Sequence, residues 1–176
     1  MYTPKSPEQL ETSMRHVAST IPKVSVIIPN YNHAQYVGAA IQSVLSQTYR
    51  SFEIIVVDDG STDNSRETDE RFGNQVRYIW QENRGLGAAR NTGICAANSE
   101  FIALLDADDQ WQPGYLECML GLAKRHPDAA VFYCGAQGMN VQGIELPQLF
   151  GWSAVPPGQI FLKLLRANFL IPSTIL

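Results

Sequence analysis

An α/β fold with a mostly parallel sheet and helices on both faces is what this sequence predicts, and three observations predict it. Short apolar runs alternate with amphipathic helical stretches along the chain. Two of those runs, Ile54-Ile55-Val56-Val57 and Phe101-Ile102-Ala103-Leu104-Leu105, are apolar throughout, as strands covered on both faces are. Both end in acidic clusters, Asp58-Asp59-Gly60-Ser61 and Asp106-Ala107-Asp108-Asp109, at the strand ends where open α/β sheets bind ligands.

The elements follow in order. Val24-Ser25-Val26-Ile27-Ile28 is the first strand, stopped by Pro29-Asn30. Val37, Ala40, Ile41, Val44 and Leu45 recur at helical spacing, with Asn32 or His33 placed to cap that helix. The second strand covers about Glu53 to Val57, and Ser61-Thr62-Asp63 is expected to cap a short polar helix. Val76 to Trp80 forms a third strand, and Leu86, Ala89, Gly93, Ile94 and Ala97 mark a second amphipathic helix. Phe101 to Leu105 is the fourth strand. Pro113 suits the first position of a helix whose buried face is Leu116, Met119, Leu120 and Ala123, and His126-Pro127 ends it. Ala129 to Tyr133 reads as a fifth strand. Gly138 to Gly143 is a turn between short strands, and Ile160, Phe161, Leu164 and Leu165 form one more helical stripe. Ile171-Pro172-Ser173-Thr174-Ile175-Leu176 reads as the start of another strand.

A chain of 176 residues, 45% hydrophobic and 17% charged, suits one domain with a real core. Residues 1–21 are polar, carry Pro4 and Pro7, and are expected to form a flexible leader; residues 22–176 form the domain. The net charge of -4 argues against a nucleic-acid surface. No apolar run reaches the roughly 18 residues that span a bilayer, and the leader lacks the apolar centre of a secretory signal. Cys95, Cys118 and Cys134 fit neither a disulfide framework nor a zinc knuckle; Cys95 and Cys134 read as small core residues, and a cytoplasmic location is the expectation.

Asp106 and Asp108 stand two residues apart, so extended backbone points both to one side. Such a pair can hold a hard divalent cation, and the cation a diphosphate. The competing reading is that acids merely end strands and open turns. Gly85-Leu86-Gly87 has the start of a dinucleotide fingerprint, but Arg90 fills its third small position and the motif follows the third strand. These glycines are expected to allow a sharp helix entry. His16, His33 and His126 show no ligand spacing, and Lys124-Arg125-His126 suits a helix C-terminus.

The stretch Val24 to Asn32 resembles the opening of family two glycosyltransferases with the GT-A fold. Asp58-Asp59-Gly60-Ser61-Thr62-Asp63 resembles their second signature, Asn83-Arg84-Gly85 with Ala89-Arg90-Asn91-Thr92-Gly93 their third, and Asp106-Ala107-Asp108-Asp109 with Trp111 and Pro113 their DxD motif. The resemblance covers about residues 23 to 135, in the family's order. It implies a GT-A, Rossmann-like fold and transfer of a sugar from a nucleoside diphosphate sugar, a UDP-sugar above all. The acceptor would be a saccharide or lipid-linked hydroxyl, attacked directly with inversion, in polysaccharide biosynthesis, in the cytoplasm or at the inner face of the membrane as a peripheral protein. It implies donor contacts from Pro29, Tyr31, Asp59, Arg84, Arg90, Asp106 and Ala107, and Mg²⁺ or Mn²⁺ held by Asp108 and Asp106.

Tyr31 is expected to stack on the base or to pack on the neighbouring helix, and Asp59 to accept from uracil N3–H or to cap its turn. Asp58 is expected to order the loop, and Asp109 to cap the helix near Pro113. Arg84 or Arg90 faces the donor phosphates, or sits in a surface ion pair. Glu117, Asp128 and Glu145 follow the acidic cluster, on a helix, at a strand start and in a loop, and none carries the family's base motif. The general base is therefore expected beyond Leu176, with the domain cut short on its acceptor side. A nucleotidyltransferase, which would place a glycine-rich loop after strand one, and a donor-binding module without catalysis are the rival readings.

Overall fold

A computed structural model describes residues 22–140, 142–150 and 170–176. The leader at 1–21 and the expected helical stripe at Ile160 to Leu165 lie outside the described residues.

Four parallel strands form the central sheet: β1 (Val24–Asn30), β2 (Phe52–Asp58), β3 (Arg77–Trp80) and β4 (Phe101–Leu104), in the spatial order β3-β2-β1-β4. The chain builds outward from β1 to β3, then returns to the other side of β1. That reversal between β1 and β4 leaves a crevice beyond their carboxyl ends, the ligand position of open α/β sheets. Helices α1 (Ala34–Leu45), α2 (Ser65–Glu70), α3 (Leu86–Ala96) and α4 (Tyr115–Arg125) connect the strands.

Alternate strand residues fill two cores. Val24, Val26, Ile28, Ile54 and Val56 face Val37, Ala40, Ile41 and Val44 of α1 and Leu116, Met119 and Ala123 of α4. Ile27, Ile55 and Val57 face Ala89 of α3 on the opposite side. The helices therefore cover both faces, as the alternating sequence predicts. Gly93 is what lets α3 lie so low: a Cβ there would sit 2.3 Å from Ile27 Cγ2. Of the expected α3 stripe, Leu86 and Ile94 remain exposed.

β1 does not stop at Pro29 but runs through it to Asn30. Ile27 accepts the Leu105 N–H on the β4 side, so Pro29, two residues on, turns its missing donor toward a strand that has already ended. α1 is capped by neither Asn32 nor His33; its first N–H, from Ala34, donates to Asp63 Oδ2 at 3.0 Å, across from another loop. α4 starts at Tyr115, after Pro113, and Asp109 does not cap it. Buried Gln47 does so from the end of α1: its Oε1 accepts the Leu116 N–H at 3.0 Å and its amide donates to Gln112 O at 2.8 Å.

The expected fifth strand at Ala129 to Tyr133 does not join the parallel sheet. Residues 172–176 occupy the β4 edge, where Leu104 N–H donates to Ile175 O, and Phe132 and Leu176 exchange two bonds on the far side of that segment. Tyr133 bridges Ile175 antiparallel. An apolar run carries no information about which edge is open, and here a segment from far along the chain has taken it. The turn expected at Gly138 to Gly143 joins an antiparallel hairpin, β5 (Ala136–Met139) and β6 (Glu145–Phe150), so Glu145 opens a strand. Asp128 lies in a turn. Cys95, expected buried, is exposed, and all three cysteines are free. Among the described residues no helix is long and apolar enough to cross a membrane.

Candidate donor site at the sheet's carboxyl edge

Loops after β1, β2 and β4 and the entry to α3 enclose a cleft of about 530 Å³. Pro29, Tyr31, Asp59, Asp106, Ala107 and Asp108 all line it, together with Asn30, His33 and Gly85. Six residues singled out from three separate motifs thus meet at one place. Tyr31 is 47% exposed, so its ring faces the cleft and not a helix.

The loop after β1 is tied to the loop after β2. Asn32 adopts φ +56°, a conformation asparagine tolerates, and its Oδ1 accepts the N–H groups of Thr62 and Asp63. Asp63 in turn accepts from Ala34 N–H and, through Oδ1, from the Ser65 N–H and hydroxyl. One carboxylate therefore serves the first turns of both α1 and α2. Burial alone would raise the Asp63 carboxyl; these bonds outweigh it and hold it below the ordinary carboxylate range.

The two aspartates after β2 divide their work. Asp58 is buried and internal: Oδ1 accepts Ser61 N–H at 2.8 Å and Oδ2 the Tyr78 hydroxyl at 2.6 Å. Burial, and that bond to an ionised neighbour, push the Tyr78 hydroxyl up. Asp59 is 3% exposed and sits on a row of donors from the segment after β3. Its Oδ1 accepts from Gln81 Nε2 at 2.5 Å and Arg84 N–H at 3.0 Å, its Oδ2 from Gly85 N–H at 2.7 Å. Burial would raise its carboxyl, but these donors and the Arg84 charge hold it below the ordinary range. A carboxylate has about four acceptor positions. Three are filled, so an ionised Asp59 can take one further N–H from the cleft. Gly60 holds this arrangement close: at φ +80°, a Cβ would lie 2.8 Å from the Asn83 backbone nitrogen.

Gly85, at φ +86°, turns the chain into α3, the sharp entry expected of it. Neither Arg84 nor Arg90 is among the residues lining the cleft. Arg84 is exposed at the rim, its guanidinium 3.2 Å from Gln81 Oε1. Arg90 forms an ion pair with Asp106 at 2.6 Å, both groups largely covered. Thr92 completes the network by donating to Gln81 Oε1 at 2.6 Å. Gln81 carries no local sequence signal, and only the folded chain brings it to Asp59 and to Thr92 of the third motif.

The acidic turn after β4 separates its three carboxylates. Asp106 is held by Arg90. Asp109 accepts the Ser173 hydroxyl at 2.5 Å instead of capping a helix, and burial with the charges of Asp108 and Asp106 raises its carboxyl against that bond. Asp108 is exposed, accepts no hydrogen bond among the described residues, and lines both the main cleft and a second one of about 440 Å³. The second cleft runs past Tyr36 to Gln137, Met139 and Asn140 on the hairpin. Among the described residues no three carboxylates, imidazoles or thiols could hold an ion by themselves. One free carboxylate at Asp108, lining the same cleft as Asp106, fits a Mg²⁺-like ion that would be completed by phosphate and water. Of the other acids, Glu117 accepts from Thr48 on the α4 surface and Glu145 from Gln112 at the start of β6.

On α2, behind this site, lies a further carboxylate. Asp69 is 2% exposed and neither of its oxygens has a hydrogen-bond partner. Burial, then the charges of Asp58 and Asp63, push it up to about 7.

The chain is similar in sequence and fold to known proteins. Residues 25–171 match the family model described as glycosyl transferase family 2. An uncharacterized glycosyltransferase of Nostoc sp. is 50% identical over 99 residues, which are 54% of this chain and 31% of that protein. Glycosyltransferase GlyG of Streptococcus pneumoniae is 43% identical over 100 residues, 54% of this chain and 33% of its own. The chain thus spans about a third of the length of these relatives. Among solved structures, S. aureus TarS in complex with UDP-GlcNAc matches with a TM-score of 0.70 and 28% identity, over 87% of this chain and 44% of that one. A mannosyltransferase from Pyrobaculum calidifontis, in complex with GDP-Man and Mn²⁺, matches with a TM-score of 0.60 and 27% identity, over 65% and 35%.

Proposed function

The chain belongs to glycosyl transferase family 2, and on that premise we propose that it forms the donor-binding part of a GT-A enzyme that moves a sugar from UDP to an acceptor hydroxyl. The observation that carries this reading is the single cleft shared by Tyr31, Asp59 and Asp108. They stand at the ends of three adjacent strands, at the sheet's topological switch. UDP-GlcNAc in the TarS neighbour supports the nucleotide.

In this reading the base stacks on Tyr31, a contact worth roughly 1–3 kcal/mol in single-strand binders. The remaining acceptor position of Asp59 takes the uracil N3–H; cytosine, whose N3 is itself an acceptor, is refused there. Pro29 and Ala107 form walls, and Asp106, oriented by Arg90, faces the ribose. Arg84 stands at the rim where an exposed guanidinium can meet a phosphate. Asp108, with Asp106, would hold Mg²⁺ or Mn²⁺, and the bound ion supplies positive charge to the departing diphosphate. The acceptor, a saccharide or a lipid-linked hydroxyl, approaches along the second cleft and attacks the anomeric carbon from the face opposite UDP, with inversion. We place this chemistry in polysaccharide assembly on the cytoplasmic side.

A nucleotidyltransferase is the weaker reading, because Pro29-Asn30-Tyr31 stands where its glycine-rich loop would follow strand one. Thermal-shift titration with UDP-, GDP- and CDP-sugars, each with and without Mn²⁺, tests the proposal. UDP-sugars should stabilise the chain, by roughly 2.7 kcal/mol at 100 times the dissociation constant, and Mn²⁺ should strengthen the effect. Asp108→Asn should abolish the Mn²⁺ increment and spare metal-free binding. A larger shift with CDP than with UDP would sink the role given to Asp59.

A further inference from the structure

Besides its own bond from Asp109 N–H to Asp106 O and the Arg90 ion pair, the acidic turn is held from far along the chain. Three hydrogen bonds reach it from a single residue, Ser173, in the one-turn helix at Pro172–Thr174. The Ser173 hydroxyl accepts Asp106 N–H at 2.9 Å and donates to Asp109 Oδ2 at 2.5 Å. Its carbonyl accepts the Trp111 indole N–H at 2.7 Å. Ser173 is 6% exposed, and the segment that carries it is pinned on both sides, by Leu104 N–H to Ile175 O and by the paired bonds between Phe132 and Leu176. A rigid strap therefore grips residues 106, 109 and 111. Between them stands Asp108, which has no partner of its own among the described residues.

We propose that Ser173 is a positioning residue for donor binding: it locks the acidic turn so that the carboxylate of Asp108 is presented to the metal-linked diphosphate. This rests on the donor-site reading above. The chemistry explains the residue type. The site needs one group that accepts from a backbone N–H and donates to a carboxylate, and a hydroxyl does both. Alanine leaves the Asp106 N–H and the Asp109 carboxylate without their partner and frees the turn. Threonine keeps both bonds.

The experiment is calorimetric titration of the 176-residue chain with UDP, with and without Mn²⁺, for the parent, S173A, S173T, D108N and the S173A/D108N pair. The readout is the ratio of the two affinities, which a general loss of stability does not move. S173A should lower that ratio about tenfold while leaving metal-free affinity within twofold, and S173T should restore it. In the D108N background S173A should add nothing, because both changes act on the same carboxylate. If S173A unfolds the chain, S173T decides alone: a parent-like ratio is expected, and a folded S173T without metal enhancement overturns the proposal. An S173A ratio equal to the parent's, or effects that multiply in the double variant, overturns the inference while the donor site stands. Absence of any metal effect in the parent overturns the donor-site reading and the inference with it.

Discussion

Asp69 is the residue that works against the fold. Its carboxyl is raised from 3.8 to about 7, first by burial and then by the charges of Asp58 and Asp63. Between those two values the folded chain binds a proton that the unfolded chain releases, so stability falls as pH rises from about 4 to about 7 and is level above that. Asp69→Asn removes the ionisable group. The variant should therefore unfold at a higher temperature than the parent at pH 8, by ~1–2 kcal/mol or roughly 3–6 °C. The gain should shrink toward pH 4. Melting curves of both chains across that range check it; a gain that does not depend on pH would assign the effect to something other than ionisation. Residues of this kind mark the limit of the sequence. Asp59 and Asp108 could be singled out because each belongs to an acidic cluster closing an apolar run, and two such clusters stand at matching strand ends. Asp69 sits in a polar run, Ser65 to Glu70, that reads as solvated, and nothing local says that one of its acids is buried.

Helices and strands were legible where their own periodicity decides them, and less so where a distant segment does. The four parallel strands and three of the four helices lie close to where apolar spacing places them, and the polar α2 lies where its capping residues do. The caps do not. Asp63 serves α1 from a position 29 residues away, and Gln47 serves α4 across 69. A capping residue is recognised in sequence only when it stands next to its helix. Asp63→Ala should therefore loosen two first turns at once, at a cost of ~1–2 kcal/mol, the upper end for a single cap. Chemical denaturation measures the cost. Hydrogen exchange should show the added opening at Ala34 and Ser65 together, and protection lost at one alone would show that the two helices are held independently. The misplaced fifth strand has the same cause as the missed caps: Phe132 is apolar enough for a strand, but its partner is Leu176.

At the scale of the molecule, the segment 172–176, a one-turn helix followed by a single bridge at Ile175, closes the fold between β4 and Phe132–Cys134. Leu176 is 6% exposed within the main core. Deleting residues 170–176 should lower stability by at least about 3 kcal/mol, from the lost burial of Leu176 and the unpaired edges it leaves. An unchanged urea midpoint would show that the segment is merely laid against the sheet. The same segment reaches back 67 residues, from Ser173 to Asp106. A ribosome extends a chain by ~5–20 residues each second, so roughly 3–13 s separate the synthesis of the two ends of that bond. All four parallel strands have been made by then, and the acids with them. The turn that carries Asp108 waits for its strap, so in a growing chain that end of the cleft is finished after all four parallel strands.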